Sequence, residues 1–242
     1  MVTCLILASI NKKSPRILLK FFFLPIFLTL FLGIAIQLQF QISDISSRQL
    51  FANFILMSWC LKSFNAYKSI KSILLQEFLQ SIRDLIYQKK FLIILFSVLK
   101  ISFLQIICFS SVFSLNYLSG YSSLNLLDIL GIALCILGIS IEIVCERGIK
   151  ETRRTENNFI RTGLWSYFRH PNLLGLLVLF SGLQIIALSG VGSQWSILGF
   201  IVMLLIIFKK CIPLIERHLS AKYPEYQEYV DTMPKLLTFI RK

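Results

Sequence analysis

The sequence predicts an all-α fold, a polytopic membrane helix bundle of about six transmembrane helices with the N and C termini cytoplasmic. Three observations carry that expectation. The 242 residues are 56% apolar and only 15% charged, with a mean hydropathy of +0.74, whereas soluble domains run at about 45–50% and about 25%. Apolar runs long enough to cross a bilayer recur along the whole chain, and the basic residues fall in alternate gaps between them. Disorder is excluded, because apolar surface is ample to offset chain entropy. A large extramembrane domain is excluded too, since no stretch free of strong apolar segments exceeds about 35 residues.

A span needs about 20 apolar residues to cross about 30 Å of hydrocarbon. Six segments qualify: Ile17–Gln39, Leu50–Tyr67, Phe91–Leu115, Leu124–Cys145, Leu173–Ser189 and Trp195–Ile215. Lys62 interrupts the second near one end, and Lys209–Lys210 the sixth, where long stems can snorkel to the interface. The opening run MVTCLILASI is too short to cross, and the run from Ile17 lacks an A-x-A cleavage site, so it is expected to be retained.

Loop charge sets the sidedness. Segments 11–20, 64–90, 145–172 and 209–242 carry four, five, six and seven Lys or Arg, 22 of the 25 in the chain. The alternate loops 41–49, 116–123 and 190–194 carry Arg48 and no other. Within the 64–90 loop, Leu75, Leu79, Ile82 and Ile86 recur at helical spacing among Lys and Arg. That pattern predicts an interfacial amphipathic helix near 65–88.

A formal charge of +13 raises nucleic acid as a partner, but the basic residues sit between apolar runs, where topology accounts for them; no nucleic-acid role is expected. Cys4, Cys60, Cys108, Cys135, Cys145 and Cys211 form no CxxC pair and read as free thiols, with neither disulfides nor metal sites implied. Lys100 falls about 15 Å beyond Lys90 on a helix. A charge at that depth implies either function or a structural partner such as Asp128 or a carbonyl. Gln37, Gln105 and Gln184 read as interhelical hydrogen bonders.

The densest polar stretch runs from Glu142 to Asn172, with Glu146, Arg147, Arg153, Arg154, Asn157, Asn158, Arg161, Arg169 and His170, and with Trp165 and Tyr167 interleaved. Guanidinium forks bind phosphate or carboxylate, and Trp and Tyr stack on planar rings, so the mixture suits a nucleotide-containing cofactor. Neither GxGxxG nor a P-loop is present. A second cluster follows: Glu216, Tyr223, Tyr226 and Val230 share a helical stripe, with Tyr229 beside it, and Pro234 ends any helix around Met233.

The run Gly163-Leu-Trp-Ser-Tyr-Phe-Arg-His-Pro-Asn-Leu-Leu-Gly175 resembles the signature of the DUF1295 family, related to the C-terminal domain of steroid 5-alpha-reductases. The order around it is similar: Glu142 upstream, then Glu216, Tyr226-Gln-Glu-Tyr229 and Thr232-Met-Pro234. The likeness is strong over 140–236 and faint before it, through Arg48, Trp59 and Glu77. It implies a divergent N-terminal helical half, 1–115, and a reductase-like membrane domain, 116–242. It further implies a membrane oxidoreductase that uses NADPH from a cytoplasm-facing cavity to reduce a conjugated carbon–carbon double bond in a sterol-like or other lipid. By matching position, Arg169, His170 and Asn172 would line the cofactor site and Trp165 and Tyr167 shape it. Asn158 and Glu142 would bond its polar parts, while Glu216, Tyr226 and Tyr229 would close it. No catalytic residue is nominated.

The chain departs from that family where an aromatic and an acid are replaced by Leu173 and Leu176, which leaves a diverged, inactive member as one alternative. Another is a methyltransferase similar to the isoprenylcysteine carboxyl methyltransferases, with S-adenosylmethionine as cofactor. That branch carries Gly-x-Tyr before RHP and no Asn after it, so Trp165 and Asn172 favour the reductase. Expected partners are the bilayer and a hydrophobic lipid substrate. The expected membrane is the endoplasmic reticulum in a eukaryote or the inner membrane in a bacterium. A transporter would need matched, broken helices in two halves, which the sequence lacks.

Overall fold

The first described helix, α1 (Ser47–Ser69), opens on a reciprocal cap: Gln49 N–H donates to Ser46 Oγ at 3.3 Å and Ser46 N–H to Gln49 Oε1 at 2.9 Å. Two orphan amides of the first turn are thereby satisfied. The computed structural model describes residues 46–69, 91–117, 123–155, 159–190 and 192–236. After α1 come α2 (Phe91–Cys108), α3 (Ser110–Tyr117), α4 (Leu126–Thr155), a 3₁₀ turn (Gly163–Ser166), α5 (Pro171–Leu188) and a second 3₁₀ turn (Gln194–Ser196). The chain continues through α6 (Ile197–Ile206), a π turn (Ile207–Cys211), α7 (Ile212–Lys222) and α8 (Tyr226–Thr232). No strand occurs among the described residues.

Among the described residues, three helices are long and apolar enough to cross a membrane: Leu126–Thr152, Pro171–Leu188 and Gln194–Lys222. Their outward faces expose Leu126, Ile129, Leu198 and Leu205, which fits an integral membrane protein in contact with a lipid bilayer. The first expected span and most of the interfacial helix near 65–88 lie outside the described residues; α1 runs through Ser69. The second expected span lies within α1.

Helices α4 and α5 form the closest pair, and glycine makes the approach possible. Gly131 abuts Gly182, and Gly138 abuts Gly175, seven residues apart on each helix. A Cβ on Gly182 would sit 2.7 Å from Cys135 Sγ and 2.8 Å from its amide nitrogen, so no side chain fits there. In lipid such close backbone packing replaces the hydrophobic drive that water would supply. Leu56, Leu115, Leu179, Leu183, Ile186 and Ile212 fill the core between α1, α3, α5 and α7.

One end of the bundle is closed by ionic and capping contacts. Asn125 caps α4 in the same reciprocal way: Asp128 N–H donates to Asn125 Oδ1 at 3.0 Å and Asn125 N–H to Asp128 Oδ2 at 2.9 Å. Asp128, fully buried, also takes Arg48 Nε at 2.7 Å, Arg48 Nη2 at 2.8 Å and Ser189 Oγ at 2.6 Å. The partner of Asp128 is therefore Arg48; Lys100 stands exposed on the outer side of α2. Gln184 bonds across helices as expected, accepting from Ser111 Oγ at 2.6 Å and donating to Ser196 Oγ at 2.8 Å. Gln37 and the Gln105 side chain lie outside the described residues.

Two expected spans differ in form. The third is broken at Phe109, where Ser110 Oγ turns to donate to Ser196 O at 2.9 Å and Gly199 brings the backbone of α6 against Ile107 O. The sixth runs beyond Ile215 to Lys222 through a π turn at Ile207–Cys211. Pro213 explains that turn: it offers no N–H to the carbonyl four residues back, and its ring crowds that carbonyl.

Candidate functional site

At the opposite end, the sequence around Arg169 dictates its own geometry. Gly163 has φ 65, a left-handed conformation that favours glycine, and it turns the chain into the Gly163–Ser166 3₁₀ turn. Pro171 then occupies the first turn of α5, where its missing N–H costs nothing, and His170 becomes the N-cap residue. The amides of Arg169 and His170 donate to Pro234 O at 2.9 Å and Lys235 O at 3.2 Å. The segment after α8 thus straps Arg169 and His170 to the mouth of the bundle.

Their side chains meet on α7. Arg169 Nη1 lies 2.8 Å from Glu216 Oε1, and His170 Nε2 lies 3.2 Å from the same oxygen. Arg169 is only 8% exposed; its Nη1 is met by Glu216 as an ion pair misaligned for an N–H···O bond, and its Nε has no hydrogen-bond partner among the described residues. The Tyr226 hydroxyl, on a side chain 1% exposed, also has none among the described residues. Unsatisfied buried donors cost about 1–3 kcal/mol each, so these two are groups that an acceptor could satisfy.

Tyr226 and Tyr229, three residues apart on α8, face inward around Phe159, with ring centroids 5.0 and 5.5 Å from it. Tyr229 donates to Trp165 O at 2.5 Å, which ties α8 to the 3₁₀ turn. Burial pushes the Tyr229 phenol up to about 12 and raises that of Tyr226, most of all by desolvation. Both phenols are therefore neutral O–H donors at physiological pH. The single tail helix of the sequence reading is in fact two: Tyr223, preceding Pro224, is extended and ends α7 at Lys222. Tyr226 and Tyr229 are the buried residues of this face, and Tyr223 and Val230 pack partly buried against them.

Glu142 lies on α4 beside Gly175 of α5, where a Cβ would come within 3.0 Å of its Cγ. Its Oε2 accepts from Trp59 Nε1 at 3.1 Å and from Lys62 Nζ, both on α1. Lys62 also reaches Glu146, one turn further along α4, at 2.8 Å.

Of the expected site residues, Arg169, His170, Glu216 and Tyr226 come together, and Tyr229 and Trp165 support them. Glu142 is held by α1. Asn172 is half-buried and its side chain makes no hydrogen bond with the described residues. Tyr167 is not brought in: it is 62% exposed, and among the described residues its ring meets Phe168. Asn158 lies outside the described residues. Leu173 and Leu176 belong to the apolar core, as leucines at those positions must. Sequence reading missed Lys62 and Phe159. Trp59 and Lys62, three apart on one helix face, were the available signal for the first, and an aromatic beside Arg161 for the second; Arg161 stacks 4.5 Å over that ring.

No curated protein and no solved structure matches the chain. Residues 30–233, most of the sequence and including every residue of this cluster, match the family described as "Protein of unknown function (DUF1295)". The chain belongs to the DUF1295 family.

Proposed function

We propose that this chain is a membrane-embedded, NADPH-dependent reductase of a conjugated carbon–carbon double bond in a sterol-like or other lipid. The reading includes six spans, both termini on the cytoplasmic side, and a home in the endoplasmic reticulum or a bacterial inner membrane. One observation supports it: the buried Arg169 guanidinium, paired with Glu216 through Nη1 but with Nε lacking an acceptor among the described residues, beside a Tyr226 hydroxyl that also lacks one. Those donors fit a phosphate or carboxamide, whose oxygens would satisfy them.

Bound there, NADPH would supply the hydride for the β-carbon of an enone. The protein's own residues bind and orient. Glu216 fixes Arg169 and His170 from below, and the Pro234–Lys235 carbonyls hold their backbone. Tyr229 pins Trp165, and Tyr226 offers a proton-bearing hydroxyl inside the apolar cluster. Exposed Lys235, on the strap that holds His170, adds positive charge beside the site that would draw an anionic cofactor. The test is turnover: in lipid nanodiscs with an enone lipid, NADPH oxidation should accompany gain of two hydrogens by the lipid. Absence of both across a panel of enones would overturn the reductase.

A second reading, an S-adenosylmethionine-dependent methyltransferase, is favoured by the inner charges. Glu142, Glu146 and Glu216 outnumber Lys62 and Arg169, and a surplus carboxylate suits a sulfonium cation. A diverged member without turnover is the remaining reading, resting on Leu173 and Leu176 as core residues.

A further inference from the structure

The contact between α1 and Glu142 is unlike a snorkelling lysine. Lys62 Nζ turns inward, its side chain 14% exposed, and bridges Glu142 and Glu146 on successive turns of α4. Trp59, one turn earlier on α1, donates to the same Glu142 oxygen. Both donors land on Oε2, so Oε1 keeps its lone pairs free of the described residues. The Glu142 side chain keeps 10% exposure, so its carboxylate is not sealed in the core. On the far side, Gly175 leaves no side chain between Glu142 and α5. Two donors on one oxygen and a bare helix face opposite fix the carboxylate's rotation. Such support from neighbouring side chains is what pre-organises a binding group.

We propose that Lys62 is a positioning residue for the cofactor site: its bridge to Glu142 and Glu146 aims Glu142 Oε1 at a bound cofactor. The inference rests on the proposed reading that a cofactor binds at this end and meets Glu142. It makes the N-terminal half of the chain, through α1, a working part of a site otherwise built from α4, α5, α7 and α8. A lysine that merely snorkels would leave ligand affinity untouched.

The experiment uses the full chain in nanodiscs and ligand titrations read as thermal shifts, with NADPH and S-adenosylmethionine as separate probes. Lys62→Met should weaken whichever ligand the unaltered protein binds by at least about tenfold, about 1.4 kcal/mol. Lys62→Arg, which keeps a cation within reach of both carboxylates, should recover most of that loss. Combining Lys62→Met with Glu142→Gln should be no weaker than Glu142→Gln alone, because both act through one carboxylate. Wild-type affinity in a folded Lys62→Met protein, or full additivity in the double variant, would overturn the proposal. If Lys62→Met fails to accumulate, Glu146→Gln takes its place: removing the second anchor should change affinity at least about threefold, and no change would overturn it. Failure of the underlying reading is distinguishable, since the unaltered protein would then bind neither probe, and the proposal would fall with it.

Discussion

The two ends of the bundle solve the problem of buried charge in opposite ways. At one end, Arg48 and Asp128 make a bidentate pair, and Ser189, the Ser123 carbonyl and the Asn125 cap of α4 add further bonds to it. At the other, Arg169 is held by Glu216 through Nη1 alone, and its Nε, the Tyr226 hydroxyl and one Glu142 oxygen have no hydrogen bond among the described residues. The fully buried pair is complete, whereas the slightly more exposed cluster is not. A pair whose bonds are all internal holds helices together, whereas groups fixed by their surroundings but left short of partners have capacity for a ligand, on which the proposed function rests.

The largest effect expected is at the completed end. Asp128→Ala would strand the buried Arg48 cation and cost about 3–5 kcal/mol of stability, measurable as lost folded yield and lower thermal midpoint. Arg48→Met with Asp128→Leu should recover much of that loss; if it does not, the pair contributes more than mutual neutralisation. Arg169→Ala should behave in reverse, with ligand affinity falling about a hundredfold, about 2.7 kcal/mol, and a smaller change in midpoint. Equal midpoint losses for Asp128→Ala and Arg169→Ala would erase the contrast between the ends.

Between the ends, Gly182→Ala tests the seam that keeps them in register. With a Cβ forced against Cys135, a loss of about 1–3 kcal/mol is expected in thermal or denaturant unfolding. The smallest effect belongs to Tyr229→Phe, about 1 kcal/mol from the lost bond to Trp165 O. Its pH dependence sharpens the assignment. The folded phenol is raised from 10.0 to about 12, so its stabilising contribution is full below pH 10 and is lost as pH rises through about 12. In the phenylalanine variant that alkaline component should disappear from a pH series of melting curves.

Much of this was legible in the sequence, and the reasons for the remainder are physical. Periodic apolar runs announced α1, α4, α5 and α6, because span length is fixed by the bilayer. Pro171 and Pro213, local rules, explain where α5 begins and why α6 meets α7 through a π turn. The run from Trp165 to Asn172 stood out for its polar density, and within it Arg169 and His170 converge on Glu216, 46 residues from His170. Pairings across long separations were not legible: nothing local told that Arg48 rather than Lys100 meets Asp128, 80 residues away. Lys62 was hidden for a related reason, since a lysine at a span's end reads as a snorkelling one until its two carboxylates are seen on α4. Tyr167 shows the converse error, because a 3₁₀ turn sends Trp165 inward and Tyr167 outward although both flank one motif.

The most direct measurement is thermal stabilisation of the purified protein by NADPH, NADH and S-adenosylmethionine, run side by side on the unaltered chain and on Arg169→Ala. A ligand that binds only the folded state adds about 2.7 kcal/mol at 100 times its dissociation constant. The expected result is stabilisation of the unaltered protein by NADPH and its loss in Arg169→Ala. Stabilisation by S-adenosylmethionine alone would move the chain to methyl transfer. No stabilisation by any of the three, or an equal shift in Arg169→Ala, would contradict a cofactor site built on the Arg169 guanidinium.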